Sequence, residues 1–419
     1  MNVTFREALK VWLRIGCLSF GGPAGQIALM HREIVDQRKW LTEKEYLSAL
    51  NFCMLLPGPE AMQLATYAGW KLHGTKGGLA AGLLFVIPGA VVVLLLSMLY
   101  AAFGNLPWIS AIFYGVKAAV LAIVIEALLR VARRALKTNA DWIIAGLAFL
   151  SIFAFNLPFP LVIIAAAILG FLRGSGVQEE HSGTFPTLAA LAGTVTIWAA
   201  IWLVPLALLA LLLGPHHVLT EIGVFFSKLA VVTFGGAYAV LTYMAQAAVE
   251  QKGWLTAPEM IDGLALAETT PGPLILVTQY VGFLAAARGM GSLWAGLLGA
   301  FVALWMTFAP CFLWIFAGAP YIEAIGKRPR LSGALAAITA AVVGVILNLS
   351  VWFGLHVLFG KVERMQGWFN PWLPDWTGLD GFALGLSLVA ALALLRLHLG
   401  ILKTLTLCAL LGLAWKLLH

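Results

Sequence analysis

Long apolar runs alternate with short polar segments along this chain of 419 residues. A helix needs roughly 20 apolar residues to cross about 30 Å of hydrocarbon. Runs of this kind recur, as at Gly77–Phe103, Trp142–Leu172, Thr184–Pro215, Gly289–Ile322 and Leu331–Leu355. The pattern predicts an all-α, polytopic membrane protein with about a dozen membrane segments.

Composition supports this fold class. Hydrophobic residues make up 61% of the chain and charged residues 11%, whereas soluble domains have roughly 25% charged residues. The net charge of +7 falls in a few short loops, which indicates membrane orientation and not nucleic-acid binding. We therefore expect a lipid bilayer around the chain, no nucleic-acid partner, no cofactor and no metal site. An oligomer is compatible with the sequence.

The chain contains an internal duplication. A shift of 214 positions places Phe20-Gly21-Gly22 on Phe234-Gly235-Gly236. The same shift aligns two more tripeptides, namely Trp40-Leu41-Thr42 with Trp254-Leu255-Thr256 and Pro57-Gly58-Pro59 with Pro271-Gly272-Pro273. We expect a first repeat over residues 1–175, a linker with an extra membrane helix over 176–218 and a second repeat over 219–419. Such duplication is typical of secondary transporters.

Basic residues in the loops favour an inverted arrangement of the two halves. In the first half, the loop at 104–107 is uncharged, and the next loop is crowded with Arg130, Arg133, Arg134 and Lys137. In the second half the order reverses, because the earlier loop carries Lys327, Arg328 and Arg330. Positive loops tend to be cytoplasmic, so the halves would point in opposite directions. A parallel repeat stays open, since inversion requires an odd number of crossings before the second half.

The segment Tyr46–Trp70 is apolar apart from Glu60 and is interrupted by Pro57-Gly58-Pro59. Proline lacks an N–H group and clashes with the preceding turn, so no continuous helix can run through this motif. The flanking pieces of about 11 residues reach roughly 16 Å each, too short to span alone. Both copies of the motif therefore predict a broken span or a re-entrant hairpin, which is tolerated only where protein or water satisfies the backbone.

The two breaks predict an anion-binding site. Pro59 suits the first helical position, which would leave the N–H groups of Glu60, Ala61 and Met62 at the positive end of the helix dipole. Pro273 would do the same for the helix that follows it. The alternative is that both motifs merely kink their helices. The candidate substrate-binding residues here are Pro57, Gly58, Pro59, Glu60, Ala61, Gln63, Thr270, Pro271, Gly272, Pro273 and Leu274.

Two further sets of residues are candidates for the same site. The paired glycines Gly21, Gly22, Gly235 and Gly236 allow close backbone approach, and they either line the substrate or only pack helices. Arg14 and Lys228 lie six residues before each Phe-Gly-Gly and would present cations to an oxyanion. The alternative for this pair is snorkelling of both side chains to the membrane interface.

Acidic residues in apolar surroundings are candidate proton carriers. Glu60 and Glu268 lie close to the two breaks, and Glu126 shares the apolar run Trp108–Leu129 with Lys117. A charge inside a membrane segment is costly enough to predict a function. The three glutamates would carry protons if transport is proton-coupled. Glu60 has an alternative role as a favourable charge in a first helical turn.

Four segments carry a resemblance to a known family. They are Phe20-Gly21-Gly22-Pro23-Ala24-Gly25-Gln26, Pro57-Gly58-Pro59-Glu60-Ala61-Met62-Gln63, Phe234-Gly235-Gly236-Ala237-Tyr238 and Thr270-Pro271-Gly272-Pro273. Over essentially its whole length the chain resembles the chromate ion transporter family in its long form with two halves. The resemblance implies a bacterial cytoplasmic-membrane protein that exports chromate, confers chromate resistance and is driven by the electrochemical gradient.

Other functions are less favoured. Chromate resembles sulfate in charge and shape, so sulfate or another oxyanion is the alternative substrate. An anion channel would share the fold, but the sequence has no selectivity motif of a known channel type. An enzyme is not expected, because neither His-Glu-x-x-His nor Gly-x-Ser-x-Gly occurs in the sequence.

Overall fold

The computed structural model describes residues 3–20, 22–104, 106–174, 187–234, 237–322 and 329–418. Helices dominate the described residues, and one hairpin of two short strands interrupts them. The helices are α1 Phe5–Leu18, α2 Gly22–His31, α3 Glu43–Cys53, α4 Glu60–Phe103, α5 Pro107–Ala135, α6 Asn139–Phe153, α7 Phe159–Arg173, α8 Leu188–Leu213, α9 Val218–Val232, α10 Ala237–Gln246, α11 Ala257–Thr269, α12 Val277–Gly289, α13 Leu293–Gly318, α14 Pro329–Leu358, α15 Gly381–Ala391 and α16 Ile401–Leu418. The strands are β1 Val362–Arg364 and β2 Trp372–Pro374.

Short π-helical and 3₁₀ turns extend or connect several of the α-helices. A π-helical turn extends α2 over Arg32–Gln37, α10 over Ala247–Gln251 and α15 over Leu392–Arg396. Turns of 3₁₀ helix occupy Leu274–Leu276, Ala319–Tyr321 and Trp376–Gly378. Helix α4 is itself broken, because His73 and Gly74 have non-helical backbone angles.

Helix length and composition confirm the expected fold class. Within the described ranges, α4, α5, α8, α13, α14 and α16 are long and apolar enough to cross a membrane. Shorter apolar helices are α6, α7, α12 and α15. The apolar run Trp142–Leu172 divides at Phe153 and Phe159, where α6 ends and α7 begins. Asn156 and the prolines after it, which lie between these two helices, are residue types that favour a turn.

The chain divides into two compact units. The first comprises Met1–Met98, Gly176–Ala237 and Thr270–Pro329, and the second comprises Leu99–Ser175, Tyr238–Thr269 and Arg330–His419. Each unit therefore takes segments from both expected repeats.

In the first unit, aromatic side chains anchor α8 to α13. The ring of Trp198 lies 5.6 Å from that of Phe312 and 5.0 Å from that of Phe316. The indole N–H of Trp305 donates a hydrogen bond of 3.0 Å to the carbonyl of Ile201. Helix α8 lies within residues 176–218, the expected linker, and these contacts hold it to α13.

In the second unit, α5 packs against α11, α15 and α16. The hydroxyl of Tyr114 donates to Asp380 at 2.6 Å, and Asp380 also accepts hydrogen bonds from the first N–H groups of α15. Strands β1 and β2 pair in antiparallel register, with Glu363 opposite Leu373. The N–H of Asn370 fastens this hairpin to the end of α6 by donating to the carbonyl of Ala154 at 2.8 Å.

Local structure repeats along with the sequence. Thr42 caps α3, with the Glu45 side chain accepting hydrogen bonds from Thr42 in return. Thr256 and Glu259, which lie 214 positions later, make the same reciprocal hydrogen bonds at the start of α11. The shared cap shows that both copies of the Trp-Leu-Thr motif end a loop and begin a helix.

Candidate functional site

The first Pro-Gly-Pro motif forms a tight, buried turn between α3 and α4. Gly58 has φ of 119°, a conformation that residues with a Cβ rarely adopt. Its N–H donates a hydrogen bond of 2.8 Å to the carbonyl of Thr233. The carbonyl of Pro59 accepts the first α-helical hydrogen bond of α4, from the N–H of Gln63 at 3.1 Å. The side chain of Gln63 donates in turn to the carbonyl of Pro57 at 2.7 Å.

The second motif forms the equivalent turn in the same unit. Gly272 has φ of 92°, and its N–H donates to the carbonyl of Ser19 at 2.9 Å. Helix α4 approaches this turn very closely, because a Cβ on Gly89 would lie 2.1 Å from the carbonyl oxygen of Pro271. A glycine is therefore required at position 89 for the turn to keep this place.

The backbone after the second turn differs from the expectation. A 3₁₀ turn at Leu274–Leu276 precedes α12, and the N–H of Leu276 donates to the carbonyl of Pro273 at 2.9 Å. Neither Pro59 nor Pro273 occupies the first helical position as predicted. Each instead precedes that position and supplies a capping carbonyl. The expectation missed this because the fixed φ of proline is also compatible with the residue before a helix.

Hydrogen bonds cross between the two repeats at these turns. Ser19 and Thr233 are equivalent under the shift of 214, and each accepts the N–H of the Pro-Gly-Pro glycine in the other repeat. The hydroxyls of both residues also bond back to their own helices, to the carbonyls of Ile15 at 2.6 Å and Leu229 at 2.5 Å. The two hydrogen bonds, Gly58 to Thr233 and Gly272 to Ser19, are thus equivalent under the repeat and are related by a pseudo-twofold symmetry.

One side chain breaks this symmetry. Gln26 is 1% exposed, and its amide donates to the carbonyl of Gly272 at 2.6 Å and to that of Ser19 at 3.4 Å. The equivalent position in the second repeat is Val240, which has no hydrogen-bonding side chain. Only the second Pro-Gly-Pro turn is therefore held by this glutamine.

The expected anion site would use backbone N–H groups at the helix starts beside the turns. The first N–H groups of a helix have no partner within the helix and carry its positive dipole end. Ala61 and Leu274, at two such helix starts, are each 2% exposed, so water screens the N–H groups there little. Glu60 is half-buried in the first turn of α4. An oxyanion placed there would accept hydrogen bonds from backbone N–H groups.

The paired glycines are only partly covered by the structure. Gly22 begins α2 with φ of 70°, so it makes a turn that favours glycine. Gly21, Gly235 and Gly236 lie outside the described residues.

The two basic candidates have different surroundings. Arg14 lies on α1 with its side chain 58% exposed and 3.8 Å from Glu33, which is buried and also pairs with Arg38. Lys228 is exposed on α9, and it forms no ion pair with any other residue that the structure describes. Both side chains have the exposure that snorkelling requires, and their role at the site stays a prediction.

The remaining candidates belong to the second unit. Glu126 is paired with Arg130, one turn further along α5. Glu268 is 4% exposed on α11 and accepts a hydrogen bond of 2.7 Å from the hydroxyl of Tyr238. Lys117 does not pair with Glu126. Its partner is Asp262, at 3.3 Å.

Sequence reasoning missed several of these residues. Asp262 lies near the start of α11, three residues after Glu259, and resembles a solvated position, although only 4% of it is exposed. Ser19 and Thr233 act through backbone carbonyls, which have no side-chain signature. Gln26 ends the first Phe-Gly-Gly segment, and the sequence distinguishes it only by the valine, Val240, at the equivalent position of the second repeat.

Comparisons with known proteins agree in their description. A family model described as "Chromate transporter" matches residues 6–171 and 220–413. A "probable chromate transport protein" of Synechococcus elongatus is 30% identical over 372 residues, covering 87% of this chain and 90% of its own length. "Chromate transport proteins" of Cupriavidus metallidurans and Pseudomonas aeruginosa are 31% identical over 347 residues (82% of this chain, 81% of that protein) and 32% identical over 356 residues (82% and 80%). No solved structure matches the chain.

Proposed function

The chain belongs to the chromate transporter family, and we propose that it exports chromate as a secondary active transporter and thereby confers chromate resistance. It is a multi-pass protein of the bacterial cytoplasmic membrane. The observation that carries the proposal is the pair of Pro-Gly-Pro turns, each hydrogen-bonded to the residue before the Phe-Gly-Gly motif of the other repeat. Irregular backbone of this kind inside a membrane protein is typical of a substrate site.

The substrate would bind at the helix beginnings beside the turns. A tetrahedral dianion can accept several N–H donors at once, and two helix amino termini favour its negative charge. Gly58 and Gly272 keep the turns tight enough for backbone groups to approach the ligand. The proposed substrate-binding residues are those of the two turns and the first helical turns after them, with the paired glycines, Arg14 and Lys228 as contributors.

The membrane potential gives the transport its direction. Moving one elementary charge through 100 mV changes its free energy by about 2.3 kcal/mol. The free energy of a dianion therefore falls by about 4.6 kcal/mol when it leaves a cell that is 100 mV negative inside. Export of chromate therefore needs no ATP. The sequence contains no Gly-x-x-x-x-Gly-Lys-Ser/Thr phosphate-binding loop, in agreement with this source of energy.

Radioactive chromate uptake into inverted membrane vesicles tests the proposal. Energised inverted vesicles are positive inside, so export appears as accumulation that is abolished when valinomycin and potassium collapse the potential. Accumulation that saturates, and that chromate on the opposite side accelerates, would identify a carrier. A flux without saturation would indicate a channel.

Sulfate serves as the competing oxyanion in the same assay. Inhibition by sulfate at concentrations near that of chromate, with accumulation of labelled sulfate, would make sulfate the alternative substrate. The absence of chromate accumulation under any gradient would contradict the proposed function.

A further inference from the structure

Helix α11 in the second unit carries two buried carboxyl groups. Asp262 and Glu268 are both 4% exposed. Each accepts a hydrogen bond from a tyrosine, Asp262 from Tyr100 at 2.8 Å and Glu268 from Tyr238 at 2.7 Å. Burying a charged carboxylate is costly unless a cation or further donors compensate it. The two groups can therefore be distinguished by what surrounds their second oxygens.

Asp262 has a compensating cation. The ammonium group of Lys117, on α5, lies 3.3 Å from its Oδ1. The Tyr100 hydroxyl donates to Oδ2, and the Lys117 cation compensates the negative charge, although Oδ1 accepts no hydrogen bond from the residues that the structure describes. Asp262 is suited to remain charged as half of a fixed ion pair.

Glu268 forms no ion pair with any residue in the described part of the chain. Its Oε2 is buried and has no hydrogen-bond partner among the residues that the structure describes. Arg130 and Glu126 of α5 act on Glu268 only at longer range and with opposite signs, and they are paired with each other. An unpartnered, buried carboxyl oxygen is the position at which a proton, the simplest cation, removes the cost of the charge.

The repeat fold does not require this group. The positions of Glu268, Asp262 and Tyr238 in the first repeat are Met54, Ser48 and Ala24. Helix α14, which follows the second broken span as α5 follows the first, has no acidic or basic residue between Arg330 and His356. The charged residues where α5 packs against α11 therefore have no charged counterparts at these equivalent positions, which indicates a function and not a packing requirement.

We propose that Glu268 is the binding site of a coupling proton, which enters the cell as chromate leaves it, and that Tyr238 is its positioning residue. This inference rests on the proposed function and names its coupling ion. The proton is taken up at Oε2 from the outer aqueous phase and released to the cytoplasm, while the Tyr238 hydroxyl holds the carboxyl group through Oε1. Glu268 lies three residues before Pro271 in the chain, so its charge changes at the end of the helix that leads into the second turn.

Other ionisable groups around α11 have separate roles. Lys117 and Tyr100 are engaged by Asp262. Glu259 is engaged in the helix cap with Thr256. Helix α16 also packs against α11 and carries Lys403, Cys408 and Lys416. The proton site is thus defined by Glu268 and Tyr238, and the charges of the Glu126–Arg130 pair act on it from α5.

The test separates net transport from exchange in proteoliposomes of the full-length protein. Net chromate movement is driven by a pH gradient while valinomycin and equal potassium hold the potential at zero. Exchange is measured as labelled chromate entering vesicles loaded with unlabelled chromate, without any gradient. A carrier whose proton site is fixed in the neutral form keeps exchange and loses net movement driven by the pH gradient.

We expect Glu268→Gln to lose the net movement and to retain exchange. Tyr238→Phe should retain exchange and shift the pH profile of net movement, which keeps the proposal testable if Glu268→Gln fails to fold. Glu250→Gln is the matched control, because Glu250 is a largely buried glutamate of the same unit that pairs with Arg364. This variant should leave both assays unchanged.

Each remaining outcome counts against the inference. Net movement driven by the pH gradient in Glu268→Gln would overturn it, and so would equal loss of exchange and net movement in folded protein. A wild-type protein that responds to potential but not to pH would overturn the proton site and leave chromate export standing. A wild-type protein without chromate flux would overturn the proposed function itself.

Discussion

The side-chain amide of Gln26 donates a hydrogen bond of 2.6 Å to the carbonyl of Gly272. The two residues belong to different repeats, and the bond is fully buried. It adds to the hydrogen bond that the Gly272 N–H donates to the Ser19 carbonyl, so two hydrogen bonds to residues of the first repeat hold the second turn.

Replacing Gln26 by leucine should weaken chromate binding. The change leaves the Gly272 carbonyl without its buried donor, at a cost of about 1–3 kcal/mol. We expect the KM for chromate to rise in the vesicle assay by roughly tenfold, which corresponds to about 1.4 kcal/mol. Ser97→Ala is the control, since buried Ser97 bonds only to its own helix. An unchanged KM in Gln26→Leu would show that the turn does not need this bond.

Valine at Gly58 or Gly272 should abolish transport. Both glycines have positive φ, and a Cβ would lie 2.8 Å from the Gln63 amide nitrogen at Gly58 and 3.0 Å from Leu276 at Gly272. Strain of this kind costs about 1–3 kcal/mol before any clash is counted. Membrane insertion and chromate accumulation should be measured together. Gly146→Ala, at a glycine with open space around it, should behave as wild type, and normal accumulation by either valine variant would refute the turn as a binding site.

Neutralising Arg14 and Lys228 together tests whether they attract the substrate. Two exposed unit charges contribute about 1 kcal/mol each at contact distance in water. If they line the site, the double glutamine variant should show a KM raised by roughly tenfold at low salt, and added salt should reduce the difference. Lys10→Gln, one turn earlier on α1, controls for a general loss of positive charge. An equal KM in the double variant would favour snorkelling.

The Lys117–Asp262 pair predicts a non-additive effect on stability. Asp262→Asn or Lys117→Met alone leaves a partly buried charge uncompensated, which costs about 3–5 kcal/mol. The double variant removes both charges and should recover most of the lost thermal stability in detergent. Losses that simply add would mean that the two side chains do not form a functional pair.

Acid should weaken the cap of α3 in a way that depends on Glu45. Its hydrogen bond with Lys71, together with those from Thr42, lowers the pKa of Glu45 to about 2. A lowered pKa in the folded state gives stability that is present above the ordinary value near 4.5 and is lost as pH falls toward 2. Glu45→Gln should therefore flatten the decline of melting temperature between pH 5 and 3, to an extent that solvent screening keeps small. An identical decline in wild type and variant would contradict this.

Particular residues show how far the sequence reaches. The prolines at 57, 59, 271 and 273 predict both breaks because the missing N–H and the ring clash are properties of the residue itself. The acceptors of those breaks, the carbonyls of Ser19 and Thr233, are not predictable, because every residue has a carbonyl and only the fold selects one. Turn chemistry is therefore local in the sequence, whereas its stabilising partner is not.

Charges illustrate the same limit. Lys117 is recognisable as an intramembrane charge from its apolar neighbours, but periodicity relates it only to residues on its own helix, such as Glu126. Its partner Asp262 comes from the other repeat. Pairing between helices depends on how they pack, and α5 and α11 are separated by more than a hundred residues in the chain.

The crossed bonds between Gly58 and Thr233 and between Gly272 and Ser19 have a consequence for assembly. A chain with a single copy of the repeat would contain the glycine donor and the carbonyl acceptor. Because each of these hydrogen bonds joins two different copies, the two groups of one copy could not pair with each other in the same way. Such a protein would have to associate in pairs to complete either turn. Joining the two copies in one polypeptide sets their stoichiometry at one to one, and it allows the copies to diverge into unequal partners, as Gln26 and Val240 have done.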